Sequence, residues 1–322
     1  MSYTGPGFEP PQPRRPRRRV LTVALAALAS GGLLGWGVYA AVGGSGKDGT
    51  PEGASASASG PASGATRTPS PSGGSTSPSA GDGGPGAASP SASAPAASGA
   101  LKGKVVVIDP GHNPGNFRHT SEINRQVDVG THRKECDTTG TSTDDGYAEA
   151  EFTLDVAHRM RTLLEARGAT VKLTQDDDRP FGPCVDERAR IGNDAEADAV
   201  VSLHADGSGT GNRGFHVILP GTVRSGAADT RAIVGPSRDL GERIAGHFVR
   251  ATGSAPSNYT GGGTGLVTRK DLGGLNLSTV PKVFIECGNM RDSKDAALLT
   301  SGAWRQKAAR GISDGIVSFL RG

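Results

Sequence analysis

Three ionisable residues follow short apolar runs rich in β-branched side chains, a pattern typical of buried strands. They are His112, His204 and Glu286, and the runs before them span 104–109, 199–203 and 283–285. Ligands of open α/β sheets bind at the carboxyl ends of the strands, so three strands would bring these groups to one edge. Histidine with carboxylate is a common ligand set for a catalytic zinc ion, which takes three protein ligands and one water. The pattern therefore predicts a metal centre, with a further ligand expected from a nearby loop or helix start.

Two carboxylates near the start of a predicted helix could supply that ligand, Glu149 and Glu151. Successive residues of a helix turn by about 100°, so residues about three, seven and eleven positions apart share a face. Glu149 stands at these separations before Phe152, Val156 and Met160, which places it on the apolar stripe that faces the sheet. Glu151 falls on a polar face, where its charge favours the first helical turn. We therefore predict that Glu149 is the ligand and that Glu151 points to solvent.

Strand and helix patterns alternate along residues 101–322. Further strands are predicted at Thr170–Thr174 and Phe215–Leu219. Apolar residues spaced three or four apart predict helices over 152–164, over 240–248 with Ser237 as the N-cap, and over 304–319. This alternation predicts a single α/β domain with a largely parallel, twisted sheet flanked by helices.

Four segments, in this order, resemble a known enzyme family. The segments are Asp109–His112, Glu149–Glu151, Ser202–Ala205 and Val283–Glu286. With their strand placement across residues 104–320 they are similar to the zinc-dependent N-acetylmuramoyl-L-alanine amidases of the amidase_3 type, and segments 184–190 and 272–276 resemble its actinobacterial branch.

This resemblance implies a site and a substrate. It implies that His112, Glu149 and His204 hold Zn²⁺ and that Glu286 is the catalytic residue. The implied substrate is peptidoglycan, a cell-wall polymer, cleaved at the amide bond between N-acetylmuramic acid and the L-alanine of the stem peptide. The long segment Asn113–Ala148 is interpreted as a loop over the zinc.

Two other functions fit the same residues. One is a zinc-binding cell-wall-binding module with weak or no activity, and Glu286 argues against it because binding alone has no evident need of that carboxylate. The other is a zinc peptidase that cuts within the stem peptide. New amino termini on L-alanine would favour the amidase, whereas cleavage between later residues would favour the peptidase.

The chain has three cysteines, which allow three single disulfides. Cys136 and Cys184 fall in predicted loops, whereas Cys287 ends a predicted buried strand. No pair has the close spacing of a zinc-binding cysteine motif. We predict a Cys136–Cys184 disulfide and a free, buried Cys287, in a compartment that permits oxidation.

The first hundred residues differ in composition from the rest of the chain. Residues 44–100 contain no Val, Ile, Leu, Met, Phe, Tyr or Trp, although the whole chain has 50 Gly and 21 Pro. Such a segment cannot bury enough apolar surface to offset its ordering entropy. We therefore predict a disordered linker over 43–100 and the zinc amidase catalytic domain over 101–322.

An uncharged apolar stretch precedes this linker. Val20–Val42 has the length of a helix of about 34 Å, enough to span a hydrocarbon core of about 30 Å. Basic residues at 14–19 place the amino terminus in the cytoplasm. The prediction is a cytoplasmic basic tail over 1–19 and a single-pass membrane anchor over 20–42, with the catalytic domain extracytoplasmic. A signal peptide, cleaved to release a secreted protein, is the alternative.

The net charge of +3 resides in the same amino-terminal part. The first hundred residues carry seven basic and four acidic side chains, which leaves 28 of each in 101–322. A balanced domain gives no electrostatic reason to bind nucleic acid. The expected partners are peptidoglycan and, through Val20–Val42, a membrane, and the catalytic domain is expected to be monomeric.

Overall fold

The computed structural model of the protein describes residues 99–322. The predicted cytoplasmic tail, the membrane segment Val20–Val42 and all but the last two residues of the predicted linker lie outside the described residues. Within 99–322, no helix is both long and apolar enough to cross a membrane. The fold below is that of the predicted catalytic domain.

Strands and helices alternate along most of this part of the chain. The strands are β1 (Val105–Pro110), β2 (Gln126–Asp128), β3 (Arg133–Glu135), β4 (Thr170–Leu173), β5 (Ala199–Asp206), β6 (His216–Pro220), β7 (Arg224–Ser225), β8 (Ala228–Asp229), β9 (Leu266–Arg269) and β10 (Lys282–Asn289). The α-helices are α1 (Thr120–Ile123), α2 (Glu149–Glu165), α3 (Val185–Asp194), α4 (Val234–Thr252), α5 (Gly273–Asn276), α6 (Ser293–Leu299) and α7 (Gly302–Leu320). Two 3₁₀ turns lie at Asn116–Arg118 and Gly261–Gly263.

Six strands form the central sheet, in the order β4-β1-β5-β10-β6-β9. Strands β4, β1, β5 and β10 are parallel, and β6 runs antiparallel to β10 with β9 parallel to β6. The predicted α/β fold with a largely parallel sheet flanked by helices is confirmed. Strands β2 and β3 form a separate hairpin, and so do β7 and β8.

The two faces of the sheet differ because side chains alternate along a strand. One face, with Ile108, Leu203 and Ile285, packs on the apolar stripes of α2, α4 and α7 in the main core. The other face has only a small apolar cluster around Val107 and Val200. Beyond that cluster, towards the carboxyl ends of the strands, this face carries Asp109, Ser202, His204 and Glu286 together with Phe284, and this is where the site forms.

Some local predictions differ from the structure. Strands β5 and β10 continue to Asp206 and Asn289, so His204 and Glu286 lie inside strands instead of after them. The prediction that Ser237 caps a helix is wrong, because α4 begins at Val234. Pro236 explains the earlier start, since proline is tolerated in the first turn of a helix. The Ser237 hydroxyl instead accepts a hydrogen bond from the Lys282 backbone at 3.1 Å.

The segment Asn113–Ala148 is more ordered than a simple loop. It contains the turn Asn116–Arg118, helix α1 and the β2–β3 hairpin. The helices α3 and α6 and the strand β9 were not predicted either. Each has ten residues at most and shows little of the periodic apolar pattern from which helices and strands are predicted.

Candidate metal centre

Three side chains from distant parts of the chain meet at one edge of the sheet. His112 follows β1, Glu149 is the first residue of α2, and His204 lies in β5. One ligand atom from each lies within 4.8 Å of the other two. Glu149 is only 4% exposed, whereas Glu151 is exposed, as their helical positions predicted.

The turn that carries His112 packs directly against the second histidine. A Cβ atom on Gly111 would lie 2.4 Å from Cε1 of His204, so only glycine fits at this position. His112 itself has a φ of 63°, in the left-handed region that non-glycine residues seldom adopt. The two imidazole rings lie 5.0 Å apart, nearly perpendicular to each other. The local backbone is therefore built to bring the two rings together.

The Glu149 carboxylate lies between the two rings. Its Oε2 is 3.2 Å from Nε2 of His112, and its Oε1 is 2.9 Å from Nδ1 of His204. The backbone amides of Thr141 and Ala205 donate to the same carboxylate at 3.0 and 3.2 Å. These bonds hold the carboxylate in one orientation, and a set of two imidazoles and one carboxylate suits zinc.

The charged side chains of this centre shift one another's pKa values. Burial alone would lower the pKa of His112, but the carboxylates of Glu149 and Asp137 raise it to about 10. Burial alone would raise the pKa of Glu149, but His112 and His204 hold it well below its usual value. The centre thus attracts positive charge, and metal ligands of this kind release protons when a cation binds.

Glu286 lies beside this centre on the neighbouring strand. In the register of β5 and β10 it is opposite His204, and its Oε2 atom is buried and has no hydrogen-bond partner within residues 99–322. Burial raises the pKa of Glu286 well above its usual value, and the negative charges of Glu149 and Asp206 raise it further. Phe284, two residues earlier, stacks on the His204 ring with 5.3 Å between centroids. A buried carboxylate next to three clustered ligand atoms is an arrangement suited to proton transfer.

Several residues near Glu286 carry no clear signal in the sequence. His216 of β6 is directly opposite Glu286 and is 5% exposed, and its ring lies nearly perpendicular to that of Tyr259. The Tyr259 hydroxyl donates to Asp206 Oδ2 at 2.6 Å. Burial raises the pKa of Tyr259, and the bond to Asp206 raises it further, so this phenol keeps its proton.

A cavity of about 130 Å³ opens next to the two histidines. Its walls include Lys134 of the β2–β3 hairpin, Phe284 of the sheet and Gly273 of α5. The segment Asn113–Ala148 therefore forms one side of this cavity.

The cysteines occupy two different environments. Cys136 and Cys184 are joined by a disulfide that links the end of the β2–β3 hairpin to the start of α3. Cys287 is free and buried, and burial raises the pKa of its thiol.

Comparisons with known proteins add to this geometry. A family model described as N-acetylmuramoyl-L-alanine amidase matches residues 106–318, which include His112, Glu149, His204 and Glu286. The chain is 42% identical over 222 residues to the N-acetylmuramoyl-L-alanine amidase Rv3717 of Mycobacterium tuberculosis, over 68% of this chain and 88% of that protein.

Solved structures show the same likeness. The crystal structure of the N-acetylmuramyl-L-alanine amidase Ami1 from Mycobacterium smegmatis matches with 40% identity and a TM-score of 0.63, over 68% of this chain and 98% of that chain. The apo form of Ami1 from Mycobacterium abscessus matches with the same identity and TM-score, over 68% of this chain and 100% of that chain.

Proposed function

This chain belongs to the N-acetylmuramoyl-L-alanine amidase family and is an enzyme of that class, and we propose that it is a zinc-dependent peptidoglycan hydrolase. The bond cleaved is the amide between N-acetylmuramic acid and the L-alanine of the stem peptide. The observation that carries the proposal is the cluster of His112, Glu149 and His204, with the Glu286 carboxylate beside it.

The donor set supports zinc as the metal. His112, Glu149 and His204 would hold the ion, as two neutral nitrogen ligands and one carboxylate oxygen. Glu149 is fixed by two backbone amides, so it would present the same oxygen atoms without a large rearrangement. When bound, zinc supplies Lewis-acid activation of the amide carbonyl and of the attacking water.

Glu286 carries the proton transfers in this proposal. Its Oε2 atom has no hydrogen-bond partner among the described residues, so it is free to accept a proton from the attacking water. The same atom then delivers that proton to the nitrogen of L-alanine as the amide bond breaks. General acid–base catalysis of this kind contributes about 10²- to 10⁴-fold to a rate.

The amino-terminal part of the chain fits a cell-wall substrate. We propose that Val20–Val42 anchors the protein in the membrane, with the tail 1–19 in the cytoplasm and the catalytic domain 101–322, as a monomer, outside. The segment 43–100 would act as a tether with a span of about 40 Å. Cleavage of Val20–Val42 as a signal peptide would instead release the catalytic domain, and the mass of the protein recovered from cells distinguishes the two.

The decisive experiment combines metal content with product masses. Full-length protein is purified, its zinc is measured by elemental analysis, and the fragments released from purified cell wall are identified by mass spectrometry. We expect one zinc per chain and stem peptides with a free amino group on L-alanine. Cleavage between later residues would show a peptidase, and bound zinc without released fragments would show a binding module.

A pair of Glu→Gln variants tests the role of Glu286. Glu286→Gln should keep its zinc and lose at least about 100-fold in turnover. Glu242→Gln, on the exposed side of α4, is the control and should behave as the wild type. Unchanged turnover in Glu286→Gln would refute the assigned role.

A further inference from the structure

Four buried charged side chains lie in a row below the turn that carries His112. They are Lys282, Asp109, Arg188 and Asp137, and they are between 1% and 6% exposed. Asp109 lies 3.1 Å from Lys282 and 2.8 Å from Arg188, which in turn lies 3.0 Å from Asp137. Burying ions costs free energy that apolar side chains of the same volume would not cost. Stability alone is therefore a weak explanation for this row.

Arg188 fixes the backbone of the His112 turn. Its guanidinium donates to the carbonyl of Pro110 at 2.6 Å and to the carbonyl of His112 at 2.7 Å. These two carbonyls lie on either side of Gly111, so one side chain holds both ends of the turn. A guanidinium presents its donors in a rigid, planar fork, and it can therefore fix several acceptors in one geometry.

Asp137 acts on the ring of His112. Its Oδ1 atom lies 3.5 Å from Nδ1 of His112, and it also accepts from the Thr138 amide at 2.8 Å. The Thr138 carbonyl lies 3.1 Å from the same ring nitrogen. The oxygen atoms of Asp137 and Thr138 around Nδ1 favour a hydrogen on that nitrogen, so Nε2, 3.2 Å from Glu149 Oε2, is the ring nitrogen available to a metal ion. Metal-bound histidines are generally oriented through their second nitrogen in this way.

We propose that Asp137 and Arg188 are positioning residues for His112. Arg188 sets the turn and holds Asp137, and Asp137 sets the ring so that Nε2 faces the metal position. This inference rests on the proposed function, because that function makes His112 a zinc ligand.

The disulfide brings these two residues together. Cys136 directly precedes Asp137, and Cys184 is the N-cap of the helix that carries Arg188 in its first turns. The Cys136 carbonyl also accepts a hydrogen bond from the Val185 amide at 2.7 Å. The disulfide therefore holds together the two segments that carry Asp137 and Arg188.

Zinc affinity is the measurement that separates positioning from a merely structural role. The full-length protein is titrated with zinc in competition with a chromophoric chelator. Asp137→Asn should bind zinc about 10- to 100-fold more weakly than the wild type, the range for loss of a partner that orients a ligand. Asp137→Glu, which restores a carboxylate, should recover part of this loss.

Asp295→Asn is the matched control. Asp295 is 4% exposed, accepts from two backbone amides and pairs with Arg213 at 3.1 Å, as Asp137 pairs with Arg188. The same substitution there removes a buried carboxylate away from the metal centre. It should lower the midpoint of thermal unfolding and leave the zinc affinity within about twofold of the wild type, because it touches no ligand.

Arg188→Lys tests the same inference if Asp137→Asn does not fold. It keeps the positive charge of the row, but lysine lacks the fork that contacts three carbonyls and two carboxylates at once. We expect zinc affinity to fall here as well. The inference is overturned if Asp137→Asn or Arg188→Lys binds zinc as tightly as the wild type, or if Asp295→Asn loses as much affinity. Absence of zinc binding in the wild type would overturn the proposed function itself.

Discussion

Removal of the Cys136–Cys184 disulfide should destabilise the protein by a calculable amount. The bond closes a loop with a sequence separation of 48 residues. The chain-entropy relation for a loop of this length gives about 4 kcal/mol at 25 °C. That is a large fraction of the free energy of unfolding of an ordinary domain, which is roughly 5–15 kcal/mol.

The surroundings of the disulfide support a large effect. The hairpin that ends at Cys136 contributes to a cluster of only four buried apolar residues, two of which are the cysteines themselves. Without the bond, this segment would be held chiefly by Val127 and Val129 and by hydrogen bonds. Because Asp137 and Arg188 lie next to the two cysteines, we expect zinc affinity to fall together with stability.

Urea unfolding measures the effect. The free energy of unfolding of the full-length protein is determined with and without a thiol reductant, and again for the variant Cys136→Ser/Cys184→Ser. Reductant should cost the wild type about 4 kcal/mol and should not change the double variant. Cys287→Ala controls for the remaining thiol and should respond to reductant as the wild type does. A loss below about 1 kcal/mol in the wild type, or a response of the double variant, would refute the chain-entropy reasoning.

Two further predictions concern the carboxylates. Glu149→Gln should lose zinc on dialysis because it removes one of the three proposed ligands. Glu151→Gln, two residues away on the exposed face, should retain its zinc. Equal zinc content in the two variants would exclude Glu149 as a ligand. The free energy of unfolding should also fall in acid. The pKa of Asp137 is about 2, because Arg188 and His112 outweigh the effect of burial. In the same way, Lys282 and Arg188 hold the pKa of Asp109 well below its usual value. Both carboxylates therefore stabilise the fold above their unfolded pKa of about 3.9, and this contribution is lost as the pH falls through their folded values. For Asp137 the loss is about 2.5 kcal/mol, and a free energy of unfolding of the metal-free protein that stays constant from pH 5 to pH 2 would contradict it.

The main elements and the candidate ligands could be predicted because their signals are local. The apolar spacing of Phe152, Val156 and Met160 both forms α2 and fixes the face on which Glu149 lies. The runs before His112 and His204 are long and β-branched enough to indicate strands. Predictions failed where a contact elsewhere decides the outcome, as at Ser237, whose hydroxyl accepts from the backbone of β10.

The positioning residues could not be predicted in the same way. Arg188 is 51 residues from Asp137 and 79 from Asp109, and Lys282 is 173 from Asp109. Nothing near Asp137 in the sequence distinguishes it from a solvated loop carboxylate, apart from its place beside Cys136.

The order of the main strands and helices, the α/β class and the edge at which His112, His204 and Glu286 gather can be derived from the sequence, because periodicity and strand ends are properties of neighbouring residues. The tertiary structure alone decided which charges meet below that edge. Long-range ion pairs depend on strand order, loop closure and the exclusion of water, and a one-dimensional pattern contains none of these.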